Sequence, residues 1–435
     1  MSEATDFRSD LRQIFLRALA ECSIEKAFQR HIEYDRGVLR IMEELYGLPG
    51  YDRVLVVSIG KAAHSMVRAL STRVGRGLQG FVVGSAVSSE MVPGFSYFEG
   101  GHPVPNADSM RGASAVLRSL KSLTEQSLAI FMISGGGSSI LEKPISNEIS
   151  LEDLIETYRA LVLSGAPIAE INAIRKHLSA VKGGRLALAA DGARQVSILI
   201  SDVPENALDS LASGPTVPDS TTVSDCYSIA CKYGLVERFP PPVRQLFKQR
   251  ALDETPKPGD PAFANSSWWV LLANSSALKA AAQHASMERF AVEVDNTCDD
   301  WDYAKAADYL LNKLRQLRQG VSRVCLLCGG EVTVKVTNGG TGGRNQQFAL
   351  YCASKIAGEN IAVLSAGTDG IDGNSPAAGA VVDGSTMARA SALGMDATTA
   401  LSRFDAYPLF KALDDAIVTG LTGTNVRDLR ILVAY

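Results

Sequence analysis

Short apolar runs recur along the chain, and each one ends in a turn that is rich in glycine or aspartate. Segments with helical periodicity, such as "LEDLIETYRALVLS" and "WDYAKAADYLLNKLRQLRQ", separate these runs. Apolar runs of this length are typical of buried strands, and strands that alternate with helices indicate parallel sheets covered by helices on both faces. The pattern therefore predicts an α/β fold, with strands in residues 53–62, 78–85, 128–139, 195–204, 268–276, 323–330 and 361–370.

One segment interrupts this alternation. Residues 250–267 are rich in proline, aspartate and serine and contain few apolar residues. A chain of 435 residues also exceeds the size at which a single core usually stops growing. We therefore expect two domains, residues 1–250 and residues 265–435. Because ligands of parallel sheets bind at the carboxyl ends of the strands, we expect the turns to converge on one site in a cleft between the domains.

Composition narrows the class of partner. Hydrophobic residues make up 46% of the chain, charged residues make up 21%, and the formal net charge is −4. Such a balance is ordinary for a packed protein. It shows no excess of basic residues of the kind that binds nucleic acid or an acidic membrane surface. No apolar run approaches the roughly 20 residues that span a bilayer. We therefore expect small-molecule partners, no nucleic acid, no membrane and a cytoplasmic location.

The seven cysteines form no framework, but Cys325 and Cys328 have CxxC spacing. They lie in the apolar run "RVCLLCGG", which predicts a buried strand. No second cysteine pair or nearby histidine completes a zinc set. Buried thiols are the favoured interpretation, and metal or redox chemistry is the less favoured alternative.

Two turns that follow predicted strands have features of anion sites. In "VVSIGKAAHSM", Gly60 makes the turn and Lys61 opens a helix, whose unpaired N–H groups and partial positive charge suit an anion. The spacing is not that of a P-loop, and a solvated lysine is the alternative. In "MISGGGSSILEKP", free N–H groups between two hydroxyls can form an anion-binding concavity, or the turn is simply tight. The candidate phosphate ligands of this second turn are Ser134, Gly135, Gly136, Gly137 and Ser138.

The segment "CGGEVTVKVTNGGTGGRNQQFAL" (residues 328–350) places Glu331 and Arg344 among many glycines. Glycine loses more conformational freedom on folding than any other residue, so such a segment is costly to order. The glycines either serve a tight hairpin or let the backbone approach a charged ligand closely. The second alternative makes Gly342, Gly343 and Asn345 phosphate ligands beside Arg344.

A basic segment and three acidic turns complete the candidates. The charged residues of "INAIRKHLSAVKGGRLALAA" are all basic, and they form either a solvated face or an anion site that includes Lys182 and Arg185. Asp202, Glu331 and Asp369 follow strands, where hard oxygen ligands suit Mg²⁺, although any one of them alone is more typical of a turn. The "DGIDGN" spacing resembles half an EF-hand loop without its closing glutamate, so calcium is not expected.

Together these features are the parts that phosphoryl transfer needs, because that reaction depends on positioning and on neutralisation of charge. The strings "SIGKAA", "GHPVPNAD", "SGGGSS", "NAIRKHLSAVKGGRLA", "SDVP", "ASGPTVPD", "GGTGGRNQ", "SAGTDGIDG" and "TGTNV" resemble the glycerate 2-kinase family of the MOFRL type. They occur in the family's order and cover nearly the whole chain.

The resemblance implies a Rossmann-like α/β/α N-terminal domain and a smaller, distinct α/β C-terminal domain, with the active site in the interdomain cleft. It implies transfer of the γ-phosphoryl group of ATP to the 2-hydroxyl of D-glycerate, which gives 2-phosphoglycerate and ADP, with Mg²⁺ or another divalent metal. Lys61 and Arg344 match the two basic residues thought to act in such enzymes. Lys182 or Arg185 would hold the glycerate carboxylate, and Asp202 is a candidate base. A homodimer is one assembly that the chain could form.

The sequence departs from the family pattern in three places. It has "SDVPENA" where the family usually has SDVPGDD, so an acidic position is lost and Asp202 carries more of the metal prediction. "SGGGSSI" replaces SGGGSAL, which is a mild change. "TGLTGTNVRD" replaces TGPTGTNVND, and the sequence assigns no role to the added Arg427.

Two other classes of function remain open. Relatives have carried a hydroxypyruvate reductase label, although the GxGxxG fingerprint of dinucleotide binding is missing here. A non-catalytic sensor of phosphorylated metabolites would use the same loops without turnover.

Overall fold

The computed structural model describes residues 6–75, 77–86, 88, 90–337 and 339–435. The chain divides into two compact units. We call Ala27–Leu271 the N-terminal unit, and Met1–Lys26 together with Leu272–Tyr435 the C-terminal unit.

The described residues form helices and strands in alternation over much of the chain. The helices are α1 Phe7–Glu21, α2 Ile24–His31, α3 Ala63–Val74, α4 Ala107–Leu120, α5 Gly137–Ile140, α6 Leu151–Val162, α7 Ile168–His177, α8 Arg185–Ala189, α9 Val223–Lys232, α10 Pro241–Gln249, α11 Asn274–Met287, α12 Tyr303–Arg318, α13 Arg344–Lys355, α14 Thr386–Ala392, α15 Ala397–Ser402 and α16 Ala406–Ala412. The strands are β1 Ile32–Asp35, β2 Val38–Ile41, β3 Glu44–Gly47, β4 Arg53–Ile59, β5 Gln79–Gly84, β6 Phe95–Glu99, β7 Ser127–Ile133, β8 Arg194–Ile200, β9 Ser266–Leu272, β10 Ala291–Val294, β11 Val324–Gly330, β12 Ile361–Gly367, β13 Gly379–Asp383, β14 Ala416–Ile417 and β15 Asp428–Ala434.

The N-terminal unit contains a six-stranded sheet in the order β6-β5-β4-β7-β8-β9. Pairs β4–β5, β4–β7, β5–β6 and β7–β8 are parallel. Numbered by first appearance in the sheet, the strand order is that of doubly wound dinucleotide-binding folds, and their ligands bind where the order reverses. Here the reversal lies between β4 and β7. The predicted Rossmann-like fold is confirmed, and a small antiparallel sheet of β1, β2 and β3 adds to it.

The C-terminal unit contains a second six-stranded sheet, in the order β10-β11-β15-β12-β13-β14. Only β10–β11 is parallel among its pairs, and β15 runs antiparallel to both β11 and β12. The prediction of a distinct α/β unit is confirmed, but the prediction of a parallel sheet is wrong here. The register places Asp428, the first residue of β15, between Gly330 and Gly367, the last residues of β11 and β12. The turns after these two strands therefore start beside Asp428.

Alternation along β11 also explains the CxxC pair. Leu326 and Cys328 belong to the core under α12 and α13, whereas Cys325 and Leu327 belong to the core under α1 and α11. Residues three apart on a strand point to opposite faces. Both thiols are fully buried and free. Burial raises the pKa of Cys325 to about 12, so this thiol stays protonated.

The predicted domain ranges differ from the two units at both ends. Helix α1 packs in the C-terminal unit through Leu11, Ile14 and Phe15, whereas the predicted N-terminal domain includes it; the predicted ranges stay a prediction. The segment 250–267, expected to be a linker, lies in the N-terminal unit and buries Leu252 and Phe263. Its few apolar residues are enough to anchor it. The predicted cleft between two domains stays a prediction. Within the described residues, no helix is both long enough and apolar enough to cross a membrane.

Candidate active site

The first cluster lies in the N-terminal unit, at the carboxyl ends of β4 and β7. Gly60 has φ +113°, and a Cβ there would overlap the backbone oxygen of Ser134. The Lys61 N–H donates to the Gly135 carbonyl at 2.9 Å, and the Ala62 N–H donates to Ser134 Oγ at 3.0 Å. The two turns are therefore held together by a backbone hydrogen bond and by the Ser134 hydroxyl. The Lys61 side chain is exposed.

The triple glycine of the second turn allows close packing of other loops. A Cβ on Gly135 would overlap the Asp202 carboxylate, and a Cβ on Gly137 would lie 2.6 Å from the Ala212 Cβ. Ser138 Oγ lies 2.8 Å from the hydroxyl of Ser213. Asp202 and Ser138 therefore lie at the turn that the sequence singled out, and their predicted roles toward metal and phosphate stay predictions.

His102 is a residue of this cluster that the sequence analysis missed. Its Cδ2 and the Lys61 Cγ each lie 3.1 Å from the position that a Cβ on Gly136 would occupy. Partial burial and the charge of Lys61 lower the pKa of His102, so its imidazole is neutral at neutral pH. The string "GHPVPNAD" contained this residue, but nothing in its local pattern indicated a partner.

Lys182 is placed differently from a typical substrate ligand. It is 1% exposed and forms an ion pair with the buried Glu142. Glu142 also accepts hydrogen bonds from the hydroxyls of Tyr158 at 2.5 Å and Ser179 at 2.6 Å. Burial lowers the pKa of Lys182, while Glu142 opposes that shift. This geometry favours a structural role for Lys182, and its predicted contact with glycerate stays a prediction.

Arg185, the second predicted substrate ligand, is half-buried. Its guanidinium donates to the carbonyls of Asp253 at 3.2 Å and Glu254 at 3.4 Å. Burial lowers the pKa of Arg185, and nearby carboxylates oppose this. Within the described residues, no hydrogen bond or ion pair links Arg185 to Lys61. A role in substrate binding stays a prediction for this residue too.

The second cluster lies in the C-terminal unit around Arg344, the first residue of α13. Its Nε donates to Asp428 Oδ2 at 2.6 Å, its Nη2 donates to Asp428 Oδ1 at 2.9 Å, and Nη2 also lies 2.9 Å from Glu331 Oε1. Burial opposes the charge of Arg344, but the two carboxylates outweigh burial and raise its pKa. Glu331, predicted to bind metal, is therefore paired with Arg344.

Arg427, unassigned by the sequence, extends this cluster. It forms a bidentate pair with Asp299, with both distances 2.7 Å, and Asp299 Oδ1 accepts the Glu331 N–H at 3.0 Å. Arg427 is 6% exposed and has φ +69°, a conformation that costs energy for a non-glycine residue. Asp299 thus holds the backbone of Glu331, and Arg427 holds Asp299.

The glycine-rich segment before α13 does not present all its N–H groups to solvent. Thr341 N–H donates to Asp405 at 2.8 Å, and Gly342 N–H donates to Asn374 at 2.9 Å. The N–H groups of Asn345 and of the next residue donate to the carboxylate of Asp372. A Cβ on Gly343 would overlap that carboxylate. The glycines therefore allow close approach to another turn of the chain. The predicted phosphate contacts of Gly342, Gly343 and Asn345 stay predictions, although Gly342 and Asn345 already have protein acceptors.

A cavity of about 740 Å³ lies against this cluster, entirely within the C-terminal unit. Arg344 and Asp369 line it, and apolar walls face them. The Asp369 carboxylate accepts a hydrogen bond from the Ile371 N–H at 3.1 Å. The walls and the polar side come from Val332, Val334, Phe404, Gly343, Arg344 and Asp369. A cavity with a cation, a carboxylate and apolar walls suits a small charged ligand that also has an apolar part.

The carboxylates of the two clusters suit Mg²⁺ only if substrate phosphates supply further ligands. Among the described residues, no group of three or more histidine, cysteine or acidic side chains is gathered as a metal site. Mg²⁺ commonly binds through one or two carboxylates together with substrate phosphates and keeps several waters. Asp369 in its cavity fits that manner. Asp202 beside Gly135 also fits it, whereas Glu331 is engaged by Arg344.

Comparison with known proteins finds relatives over nearly the whole chain. Residues 10–248 match the family described as "Domain of unknown function (DUF4147)", and residues 324–428 match the MOFRL family. D-glycerate 2-kinase of Thermotoga maritima is 36% identical over 94% of this chain and 95% of that protein. Glycerate 2-kinase of Pyrococcus horikoshii is 33% identical over 98% of this chain and 97% of that protein. A protein of Agrobacterium vitis, provisionally named hydroxypyruvate reductase, is 37% identical over 88% of this chain and 87% of that protein.

The likeness extends to solved structures. The crystal structure of glycerate kinase from Thermotoga maritima has a TM-score of 0.86 at 33% identity and covers 99% of both chains. A crystal structure of a Pyrococcus horikoshii protein has a TM-score of 0.85 at 32% identity, with the same coverage. The relatives and the solved structures match nearly the whole chain, and the chain belongs to the glycerate 2-kinase family of the MOFRL type.

Proposed function

We propose that this protein transfers the γ-phosphoryl group of ATP to the 2-hydroxyl of D-glycerate and releases 2-phosphoglycerate and ADP. The observation that carries the proposal is Arg344, which the buried Asp428 orients toward a cavity that also contains Asp369. Phosphoryl transfer needs a fixed cation where charge accumulates on the transferred group. The relatives named as glycerate kinases supply the identity of the two substrates.

In this proposal Lys61 of the N-terminal unit and Arg344 of the C-terminal unit have the same kind of role. Each is a basic residue beside a glycine turn: Lys61 lies two residues before α3, and Arg344 is the first residue of α13. Each would neutralise phosphate charge, which is the main requirement of a loose transition state. The glycine turns at Gly60, residues 135–137 and residues 342–343 would border the phosphates.

Removal of the proton from the 2-hydroxyl needs little assistance in such a transition state. Two groups at the turn after β7 are candidates to accept it. Asp202 packs on Gly135, and the neutral His102 packs on Gly136 next to Lys61. Asp202 is the sequence-based candidate, and His102 is added by the geometry of the turn.

Magnesium would enter with ATP. Asp369, or Asp202, would supply one carboxylate, and the phosphates and water would supply the other ligands. The ion would offset negative charge on the β- and γ-phosphates. The cytoplasmic location and the homodimer suggested above remain part of this proposal rather than observations.

The test is a coupled assay with purified protein, D-glycerate, ATP and Mg²⁺. Product is read through enolase, pyruvate kinase and lactate dehydrogenase, with phosphoglycerate mutase left out. Because enolase does not use 3-phosphoglycerate, a signal identifies the 2-isomer. No signal at any substrate concentration, with native-like circular dichroism, would refute the proposal.

A second candidate is reduction of hydroxypyruvate. The Rossmann-like strand order and the provisional names of the Agrobacterium vitis relatives favour it. The turn after β4 reads "SIGKAA" and lacks the GxGxxG fingerprint that brings a backbone close to a pyrophosphate. Oxidation of NADH by hydroxypyruvate without ATP would identify this activity. Saturable binding of phosphorylated metabolites without turnover of either substrate would identify a sensor.

A further inference from the structure

The turn after β12, residues 369–374, packs on the glycine-rich segment that precedes α13. A Cβ on Gly373 would overlap the carbonyl oxygen of Gly342, and Gly373 has φ +63°. A Cβ on Gly343 would overlap the carboxylate of Asp372. Glycine is required at both positions because the two turns approach backbone to backbone. The acidic turn is thus a structural partner of the segment that carries Arg344.

Asp372 caps α13 from outside the helix. Its Oδ1 accepts the Asn345 N–H at 3.1 Å, and its Oδ2 accepts the Gln346 N–H at 2.8 Å and the Gln346 amide at 3.1 Å. The preceding residue, Gly343, has no side chain to act as a cap. A carboxylate at a helix start satisfies free N–H groups and interacts favourably with the helix dipole. Asp372 is 2% exposed, so little water competes for these N–H groups.

Asn374 holds the other side of the same segment. Its Oδ1 accepts the Gly342 N–H at 2.9 Å, and its Nδ2 donates to the Gly340 carbonyl at 3.0 Å. The backbone N–H of Asn374 donates to the Gly342 carbonyl at 3.2 Å. Arg344 therefore lies between a backbone held by Asn374 and a helical turn held by Asp372.

We propose that Asp372, assisted by Asn374, is a positioning residue for Arg344: it fixes the start of α13 and thereby places the guanidinium beside Asp428 in the cavity. The inference rests on the proposed function in one respect, namely that Arg344 acts on the transferred phosphoryl group. A displacement of about 1 Å of a catalytic group can lower a rate by about 100-fold. Within the residues described, no other side chain accepts the first N–H groups of α13.

The decisive variant is Asp372→Asn, which keeps the volume of the side chain. One carboxylate oxygen becomes an NH₂ donor and faces an N–H donor of Asn345 or Gln346. We expect kcat to fall by about 10- to 100-fold, while the KM values for ATP and glycerate change by less than about threefold. Asn374→Ala, at an exposed position of the turn, should lower kcat by roughly threefold to tenfold without loss of folding.

The matched control is Asp396→Asn in the same unit. Asp396 caps α15 by accepting the N–H groups of Thr398 and Thr399, both at 3.0 Å, and does not line the cavity. We expect its kcat to stay within about twofold of the unmodified protein. An equal loss in this variant would overturn the proposal, because any weakened helix cap would then have the same effect.

Hydrogen exchange of the peptide 340–350 separates failure of this inference from failure of the proposed function. Exchange should become faster in Asp372→Asn and stay unchanged in Asp396→Asn, whichever reaction the protein catalyses. Faster exchange with the predicted kcat loss supports the proposal. Unchanged exchange, or faster exchange with unchanged kcat on an active protein, overturns it. If the unmodified protein does not phosphorylate glycerate, the proposed function fails, and unchanged exchange would then overturn the positioning role as well.

Discussion

Asp428 accepts two hydrogen bonds from the side chain of Arg344, at 2.6 and 2.9 Å, and its own side chain is 1% exposed whereas that of Arg344 is 37% exposed. A buried carboxylate thus holds a partly exposed cation in one plane. Bidentate pairs of this kind fix geometry as well as charge. The register of β15 between β11 and β12 places Asp428 where this contact is made.

Replacing Arg344 by lysine should keep the charge and lose the planar two-point contact. We expect kcat/KM for glycerate phosphorylation to fall by at least about tenfold in Arg344→Lys and by about 10²–10⁴-fold in Arg344→Ala. Steady-state kinetics in the enolase-coupled assay measures both.

The control for that substitution is Arg315→Lys. Arg315 forms a comparable bidentate pair with Glu359, at 3.1 and 2.6 Å, in the same unit. Its activity should stay within about twofold of the unmodified protein, since surface pairs contribute little. Full activity in Arg344→Lys would show that orientation of the cation is unimportant.

Removing the Lys61 amine should lower kcat/KM by about 10²–10⁴-fold, because a full charge beside the phosphates is lost. Lys61→Ala is compared with Lys248→Ala, which removes an exposed lysine paired with Glu237 in the same unit. If both variants retain full activity, Lys61 has no part in catalysis.

Lys182 gives opposite expectations for a structural role and for a role in substrate binding. If Lys182 serves the fold, Lys182→Met leaves Glu142 buried without its cation and should destabilise the protein by about 3–5 kcal/mol. Adding Glu142→Gln should restore part of that loss, since the uncompensated charge is gone. Urea unfolding of both single variants and the double variant measures the coupling.

The alternative outcome for Lys182 is equally clear. A higher KM for glycerate with unchanged stability would show that this lysine binds substrate, as the sequence predicted. Arg40→Met, which breaks an exposed pair with Glu33 in the same unit, controls for the loss of a surface charge.

Asp372 should make stability depend on pH in an unusual direction. Burial raises the pKa of Asp372 from 3.8 to about 6, nearby Asp428 adds to the shift, and the N–H donors of α13 oppose it. Because the folded state holds the proton more tightly, the contribution of Asp372 is most favourable below about pH 4 and is lost as pH rises to about 6. The total change is on the order of 3 kcal/mol.

Unfolding free energies of the unmodified protein and Asp372→Asn, measured from pH 4 to pH 7, test this expectation. The unfolding free energy of the unmodified protein, minus that of Asp372→Asn, should fall as pH rises to about 6 and then stay constant. Asp396→Asn is the contrasting variant: hydrogen bonds from Thr399 lower the pKa of Asp396, so its contribution is lost only as pH falls below about 4, and its effect on stability should stay nearly constant from pH 4 to pH 7. If the unmodified protein instead gains stability relative to Asp372→Asn as pH rises, the raised pKa of Asp372 is contradicted.

The sequence predicted the strands whose apolar runs are long and bounded by turns. All seven predicted strands are present, among them β4, β7 and β12. It did not predict that β15 runs antiparallel between β11 and β12, because pairing depends on contacts across the sheet rather than on the local pattern. Helix α1 has a clear amphipathic pattern, but no local signal tells which unit its apolar face covers.

The candidate site shows the same limit. Gly60, Lys61 and Arg344 were recognisable because glycine and a cation follow a strand or precede a helix. The role of Asp372 was not recognisable from the sequence. The Asp372 carboxylate caps α13, a helix that begins 28 positions earlier in the chain. The sequence assigned Glu331 to metal, and the structure pairs it with Arg344.

Packing of α1 on α11 has a consequence for biosynthesis. Helix α1 is made about 250 residues before α11, and the whole N-terminal unit is translated in between. The apolar side chains of Leu11, Ile14 and Phe15 lack their partners in α11 during that interval. A nascent chain with such a surface is a target for chaperones and for aggregation. Folding of the C-terminal unit is therefore a late event, completed only after β15 has left the ribosome.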